Sequence, residues 1–352
     1  MNKSKLMGSC MAIIAVSLLS LTGCGDSSDK QNQQQAQTNK ESVVEPIVIK
    51  FGYENHPGEA FDLGANKWKE LVEQKSNGTI KVELYPSSQL GSKADIIDSM
   101  ILGDKTVTLA DGSFYAERGV TDFGIVFAPF IFDTWEEAFK LNDSPWFHEQ
   151  EKLLNEKGIK ILAANWKYGD RHTLTTKPIK SIEDFKGVKI RVATNEILSE
   201  GTRVLGATPT PMPLGEVYTS LQQGTIDGVE NPIPVLYNGK FQEVAKYLLL
   251  DAHIRNITNI IVGYKFFSSL TPEQQKILTD SCVEAGKYQN VVVEKLEIEL
   301  LEKMKKEGIT VTEPSEEFKQ QMREKAKAFY ELPQFKDKWS PNLYETIKAN
   351  CK

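Results

Sequence analysis

Residues 187–196, GVKIRVATNE, put an arginine at the far end of a strand-like run. Alternation sets Val188, Ile190 and Val192 on one face and Lys189, Arg191 and Ala193 on the other. By itself this is the pattern of a solvated sheet edge. The signatures that would place catalysis elsewhere are missing. The chain has no G-x-S-x-G elbow, H-E-x-x-H pair, P-loop, C-x-x-C or G-x-G-x-x-G. Its histidines, His56, His148, His172 and His253, share no metal-ligand spacing, and its many carboxylates show no spacing that marks a catalytic pair. No cofactor or metal is expected. The pattern favours capture of a ligand over chemistry on it.

The elements that must position these groups alternate. PIVIKFGY and TIKVELYP read as strands. Between them GEAFDLGANKWKELVEQKSNG has helical spacing at Phe61, Ala65, Trp68, Leu71 and Val72 and a stop at Gly78. Further strands are expected at TVTLA, GIKILAANW, HTLTT, VKIRV, TIDGVE and NIIVG, and helices at WEEAFKLN, ILSEGTRVLG and LGEVYTSLQQG. The class is α/β. Thr271-Pro272-Glu273-Gln274 combines an N-cap, a proline at the first helical position and a capping-box glutamine. From there only Gly286 interrupts a helical pattern to about Glu307. Unbroken, that helix is roughly 50 Å long, enough to bridge two domains.

At 352 residues, with 40% hydrophobic and 26% charged content, the chain can bury two domain cores. Residues 1–23 read as a signal peptide: Lys3 and Lys5, then an apolar run, then Leu21-Thr22-Gly23 before Cys24. That ending resembles the bacterial lipoprotein cleavage site, with Cys24 as the lipid-bearing residue. Residues 24–45 are polar and serve as a flexible tether. The whole chain carries a formal charge of −6, and loss of the two signal lysines makes it more negative still. That charge argues against nucleic acid and against any membrane contact other than the lipid, and an anionic ligand would need a local positive site. Beyond Cys10 and Cys24 only Cys282 and Cys351 remain; an exported compartment permits a disulfide between them without any motif requiring one.

KFGYEN, KVELYPSSQLG, RHTLTTKPIKSIEDFKGVKIRV, LGATPTPMPLGEVYTSLQQGTIDGVENP and KFQEVAKYLLL, in that order, make the chain resemble the substrate-binding proteins of tripartite ATP-independent periplasmic (TRAP) transporters, the DctP-type family. The resemblance implies a periplasmic-binding-protein-like fold. Two α/β domains, joined by crossing strands and a long helix, close a cleft over a small organic acid that passes to a TRAP membrane permease. It divides the chain into domain I, residues 46–168 plus about 257–290, and domain II, residues 169–256 plus about 291–352. It implies a monomer without catalytic activity, facing the periplasm or cell exterior.

Position by position, the resemblance makes Arg191 the arginine that meets the ligand carboxylate, Arg171 a second arginine near it, and Asn231 a hydrogen-bonding amide. A guanidinium fork can make two parallel charge-assisted bonds to a carboxylate, which lysine cannot copy. Asp111 stands where some relatives carry a glutamate, with an Asp-Gly turn as the alternative. Glu54, Asn55 and His56 follow the first strand, where α/β folds place ligand contacts. Trp166 or Tyr168 could cover a ligand face or pack the core. Thr194, Asp170 and Asn256 complete the candidates; Asp170 replaces a common aromatic and Ala193 a common proline. Glu230 reads as structural, facing away from Asn231.

A dicarboxylate needs a second cation, whereas Glu54, Asp111 and Asp170 would repel a second negative charge and accept bonds from hydroxyls. A sugar acid, uronate or aldonate, is the expected ligand. A C4-dicarboxylate receptor and an exported enzyme acting on sugar acids are the alternatives, and a receptor feeding a signalling partner is a third.

Overall fold

The computed structural model describes residues 45–351; the signal peptide, Cys24 and all of the tether but its last residue lie outside them. Nine strands form one sheet: β1 (Ile47–Gly52), β2 (Ile80–Tyr85), β3 (Thr106–Ala110), β4 (Ile159–Thr175), β5 (Lys189–Val192), β6 (Thr208–Pro211), β7 (Gly228–Pro232), β8 (Tyr247–Gly263) and β9 (Thr310–Thr312). Their order is β2-β1-β3-β8-β4-β7-β5-β6, with β9 on β8. This order is nearly palindromic. β1 lies between β2 and β3, and β5 between β6 and β7, every pair parallel. The antiparallel pair β4 and β8 crosses from one half to the other. The result is two α/β halves joined by long strands.

Both crossing strands have 17 residues. GIKILAANW and HTLTT are therefore one strand, and NIIVG is only the end of another. The chain passes through the apparent break because register shifts absorb it: β4 and β8 slip between Ile161 and Ala163, Ala163 and Trp166, Lys167 and Gly169, and Arg171 and Thr173. Gly169, at φ +133°, adopts a backbone state other residues rarely hold. β6, TPTP, hides its strand character behind two prolines, which an edge strand tolerates.

The expected long helix runs over Pro272–Lys306. Thr271 Oγ1 accepts from Gln274 N at 3.2 Å and Gln274 Oε1 accepts from Thr271 N at 3.0 Å. Its first half packs Leu278, Cys282 and Ala285 into the core of the β1 half. Its second half packs Met304 into the core of the β7 half. Gly286 lies where a Cβ would come within 2.7 Å of Trp166, so this glycine admits the indole. Cys282 and Cys351 are both free and sit in different buried clusters, so no disulfide joins them.

Candidate functional site

Parallel strands in an open α/β sheet present their carboxyl ends, with the loops beyond them, to a crevice. Here four such ends meet: Glu54 beyond β1, Asp111 beyond β3, Arg191 near the end of β5 and Asn231 near the end of β7. The crossing strands add Tyr168, Arg171, Asn256 and Thr258. Together they line a cleft of about 390 Å³ of space between atoms, part of it open to solvent.

The two arginines differ in what holds them. Arg171 is locked to Glu230. Its Nε and Nη2 donate to the two carboxylate oxygens, with Nη2 to Oε1 at 2.7 Å, and its Nη1 donates to Asn256 Oδ1 at 2.9 Å. Burial pulls its pKa down, and the adjacent Glu230 charge more than restores it. Arg191 is 3% exposed and donates from Nε and Nη2 to the carbonyl of Met212, at 2.9 and 2.7 Å. Among the described residues no carboxylate forms an ion pair with it. Burial lowers its pKa from the ordinary arginine value, and Glu54, across the cleft, opposes that shift. Arg191 is therefore a buried cation with no carboxylate in contact, opposed only at a distance by the charges of Glu54 and Glu230.

The remaining polar groups are a mixture of paired and free. The Asn231 side chain lines the cleft, and Asn256 Nδ2 is a buried donor without a hydrogen-bond partner among the described residues. Asp111 caps the short helix Gly112–Ala116, accepting from Ser113 N at 3.0 Å. The Asp-Gly turn and the cleft position thus coexist. Glu54 pairs with Lys93 at 3.3 Å, and the Lys93 ammonium sits 4.7 Å from the Phe114 ring centroid. Phe127 lies 5.8 Å beneath Arg171, and Leu198 and Leu214 add apolar wall.

Several candidates lie elsewhere. Trp166 is fully buried in the core, its indole N–H donating to Cys282 O at 3.1 Å; of these two, Tyr168 is the one at the cleft. Asn55 turns inward, donating to Glu59 Oε2 at 2.6 Å and to Tyr168 Oη at 2.9 Å. His56 meets Ser87 Oγ at 2.9 Å outside the cleft. Alternation beside Arg171 sends Asp170 to the opposite face, where Trp135 donates to it at 3.3 Å. Thr194 is exposed in the turn after β5. Lys93, Phe114, Phe127 and Thr258 carry no motif. Lys93 alone left a trace, a lysine directly after a serine N-cap, at the start of a helix.

A two-lobed sheet whose strand ends converge on one buried, unpaired arginine defines a cleft receptor for an anionic solute. The chain belongs to the bacterial extracellular solute-binding protein family 7 (DctP), whose model matches residues 51–337. This is a family of solute-binding receptors. The chain is 43% identical to a TRAP periplasmic solute-binding protein from Ochrobacterium anthropi solved with bound L-fuconate, at a TM-score of 0.83, covering 87% of this chain and all of that one (100%). It is 32% identical over 264 residues to the 2,3-diketo-L-gulonate-binding periplasmic protein YiaO of Escherichia coli (strain K12), covering 75% of this chain and 80% of the relative. It is 31% identical over 269 residues to the C4-dicarboxylate-binding periplasmic protein DctP of Rhodobacter capsulatus, covering 76% and 80%. Among the described residues no helix is long and apolar enough to cross a membrane.

Proposed function

We propose that the protein captures a sugar acid, an aldonate or uronate, outside the cytoplasm and delivers it to a TRAP permease. One observation carries the choice of ligand: of the two cleft arginines, only Arg191 lacks a carboxylate partner. One uncompensated guanidinium matches one ligand carboxylate. Glu230 occupies the cation that a dicarboxylate would otherwise use at its far end. The Asn231 amide, Asn256 Nδ2, Glu54 and Asp111 supply donors and acceptors suited to hydroxyls. Relatives of similar identity named for a sugar acid and for C4-dicarboxylates keep the alternative in the test.

Calorimetry against L-fuconate, L-galactonate, glucuronate, galacturonate, succinate, malate and fumarate is the experiment, and tight binding confined to the last three would overturn the ligand class. Arg191→Ala should cost roughly 3 to 5 kcal/mol, about two to three and a half decades in affinity, because it leaves a desolvated carboxylate unpaired. Near-normal affinity in that variant would reduce Arg191 to a brace for Met212. No product should form from a bound acid.

Cys24 carries the lipid in this reading, and residues 24–45 let the receptor stand off the membrane. Cys24→Ala should move the protein to the aqueous phase of a detergent partition; unchanged partitioning would remove the anchor. The domains divide as 46–168 with about 257–290, and 169–256 with about 291–352, and swing about the irregular stretch of β4 at Gly169.

A further inference from the structure

The cleft holds a second charged pair that the carboxylate clamp does not use. Glu54 extends from the loop after β1, and Lys93 from the first turn of the helix Lys93–Leu102. They meet at 3.3 Å with side chains only 13% and 11% exposed, both at the cleft wall. Their position relative to Arg191 matters. Arg191 stands on the β5 half and the pair on the β1 half, and Glu54 is the carboxylate that acts most strongly on Arg191 without bonding to it. Glu54 and Lys93 therefore face the same cleft as Arg191 from the other half, where the far end of a ligand clamped on Arg191 can reach them.

We propose that the Glu54–Lys93 pair is the determinant that sets the charge accepted at the ligand's distal end, admitting a hydroxymethyl group and rejecting a second carboxylate. The inference rests on the sugar-acid reading above and names the atoms behind its selectivity. Lys93 is the cleft cation on the β1 half, and Glu54 cancels it where a diacid would need it. The Glu54 carboxylate accepts a hydrogen bond from a terminal hydroxyl, whereas it repels a terminal carboxylate. The Lys93 ammonium holds the Glu54 carboxylate in place, while the Phe114 ring beneath that ammonium limits where the lysine can go. Removing only the Glu54 charge would leave Lys93 free to take a second carboxylate, turning a monoacid site into a diacid site without altering Arg191.

Galactonate and galactarate test this, because they share a six-carbon chain and differ only in whether the far end is a hydroxymethyl or a carboxylate. Wild type should bind galactonate at least about tenfold more tightly. In Glu54→Gln, which keeps the shape and removes the charge, the galactonate-to-galactarate affinity ratio should fall by roughly tenfold or more, the scale of one unit charge acting over a few ångström at the surface of a protein site. In Lys93→Met, which leaves Glu54 unpaired, the ratio should stay or rise. These opposite signs separate a charge filter from general damage to the fold, and unfolding curves of both variants establish that they are intact. If wild type binds galactonate and the ratio does not fall in Glu54→Gln, or if it falls equally in Lys93→Met, this inference is overturned and the sugar-acid reading stands. If wild type binds no aldonate or uronate, both fall together.

Discussion

Arg171 and Arg191 border the same cleft, and what separates their roles is a glutamate 59 positions from the first of them. Alternation along β7 sends Glu230 and Asn231 to opposite faces, so that Asn231 meets the cleft and Glu230 meets Arg171 behind it. The type and general location of Arg191, Asn231 and Asn256 were legible in the sequence. The neutralisation of Arg171 was not, because it depends on the register of β4 against β7. Beyond Glu230 the polar contacts continue: His253 lies 3.4 Å from Glu230 and 3.1 Å from Asp251, with His172 3.8 Å from Asp251. Burial disfavours the charged form of Glu230, but Arg171 and His253 outweigh it and hold its pKa at about 2. Burial likewise pushes His253 down, and Asp251 with Glu230 raises it to about 9. The signs follow. Glu230 contributes stability that is present above its unfolded value and lost as pH falls toward about 2. His253 contributes stability that is complete below its unfolded value and lost as pH rises through about 9. Glu59 and Glu297, raised to about 7 by burial, also cost stability as pH rises, but their change is largely complete above that point. Between about pH 7.5 and 9.5 the melting temperature of wild type should therefore fall more steeply than that of His253→Gln. Parallel slopes in calorimetric scans would sink this account.

At the scale of the element, the long helix was readable because its start is written locally in Thr271, Pro272 and Gln274. The crossing strands were not, because their irregular middle is satisfied by groups far away in the chain. Where β4 slips against β8, the helix supplies the missing partners. Asn290 Oδ1 accepts from Lys167 N at 2.7 Å, and Gln289 donates to Lys167 O at 2.9 Å. Asn290 also donates to Asn165 O at 2.8 Å, and Glu297 accepts from Asp170 N at 3.3 Å. A buried backbone group left without a partner costs about as much as a lost hydrogen bond, so these amide and carboxylate side chains permit a bulged strand to exist in the interior. Read alone, Lys167-Tyr168-Gly169-Asp170 looks like a turn, and local propensity points to a break. The helix overrides it. Gly169 completes the fit, since a Cβ there would come within 2.5 Å of Glu297 Oε1.

For the whole molecule, the burial of the cleft implies motion. Arg191 and Asn231 are each 3% exposed and Asn256 is 2% exposed, so the groups that would hold the acid are largely covered while the halves stand together. The halves should part to admit ligand and close to desolvate it, and a carboxylate bridging Arg191 to the wall that bears Glu54 would favour the closed arrangement by contacts available only there. The hinge proposed at Gly169 has a reporter beside it. The Trp135 indole donates to Asp170 at 3.3 Å, and the Lys167 ammonium lies 4.5 Å from its ring. Rotation about Gly169 shifts Asp170 and Lys167 relative to that ring. Saturating aldonate should therefore change tryptophan emission in wild type, and the change should largely vanish in Trp135→Phe while calorimetry still registers normal binding. Small-angle scattering on the same samples should show a smaller radius of gyration with ligand than without. A pocket that fills with neither signal moving would mean that ligand enters a rigid cleft by local side-chain motion, and the β4 bulge would then be a brace between the two halves with no hinge function.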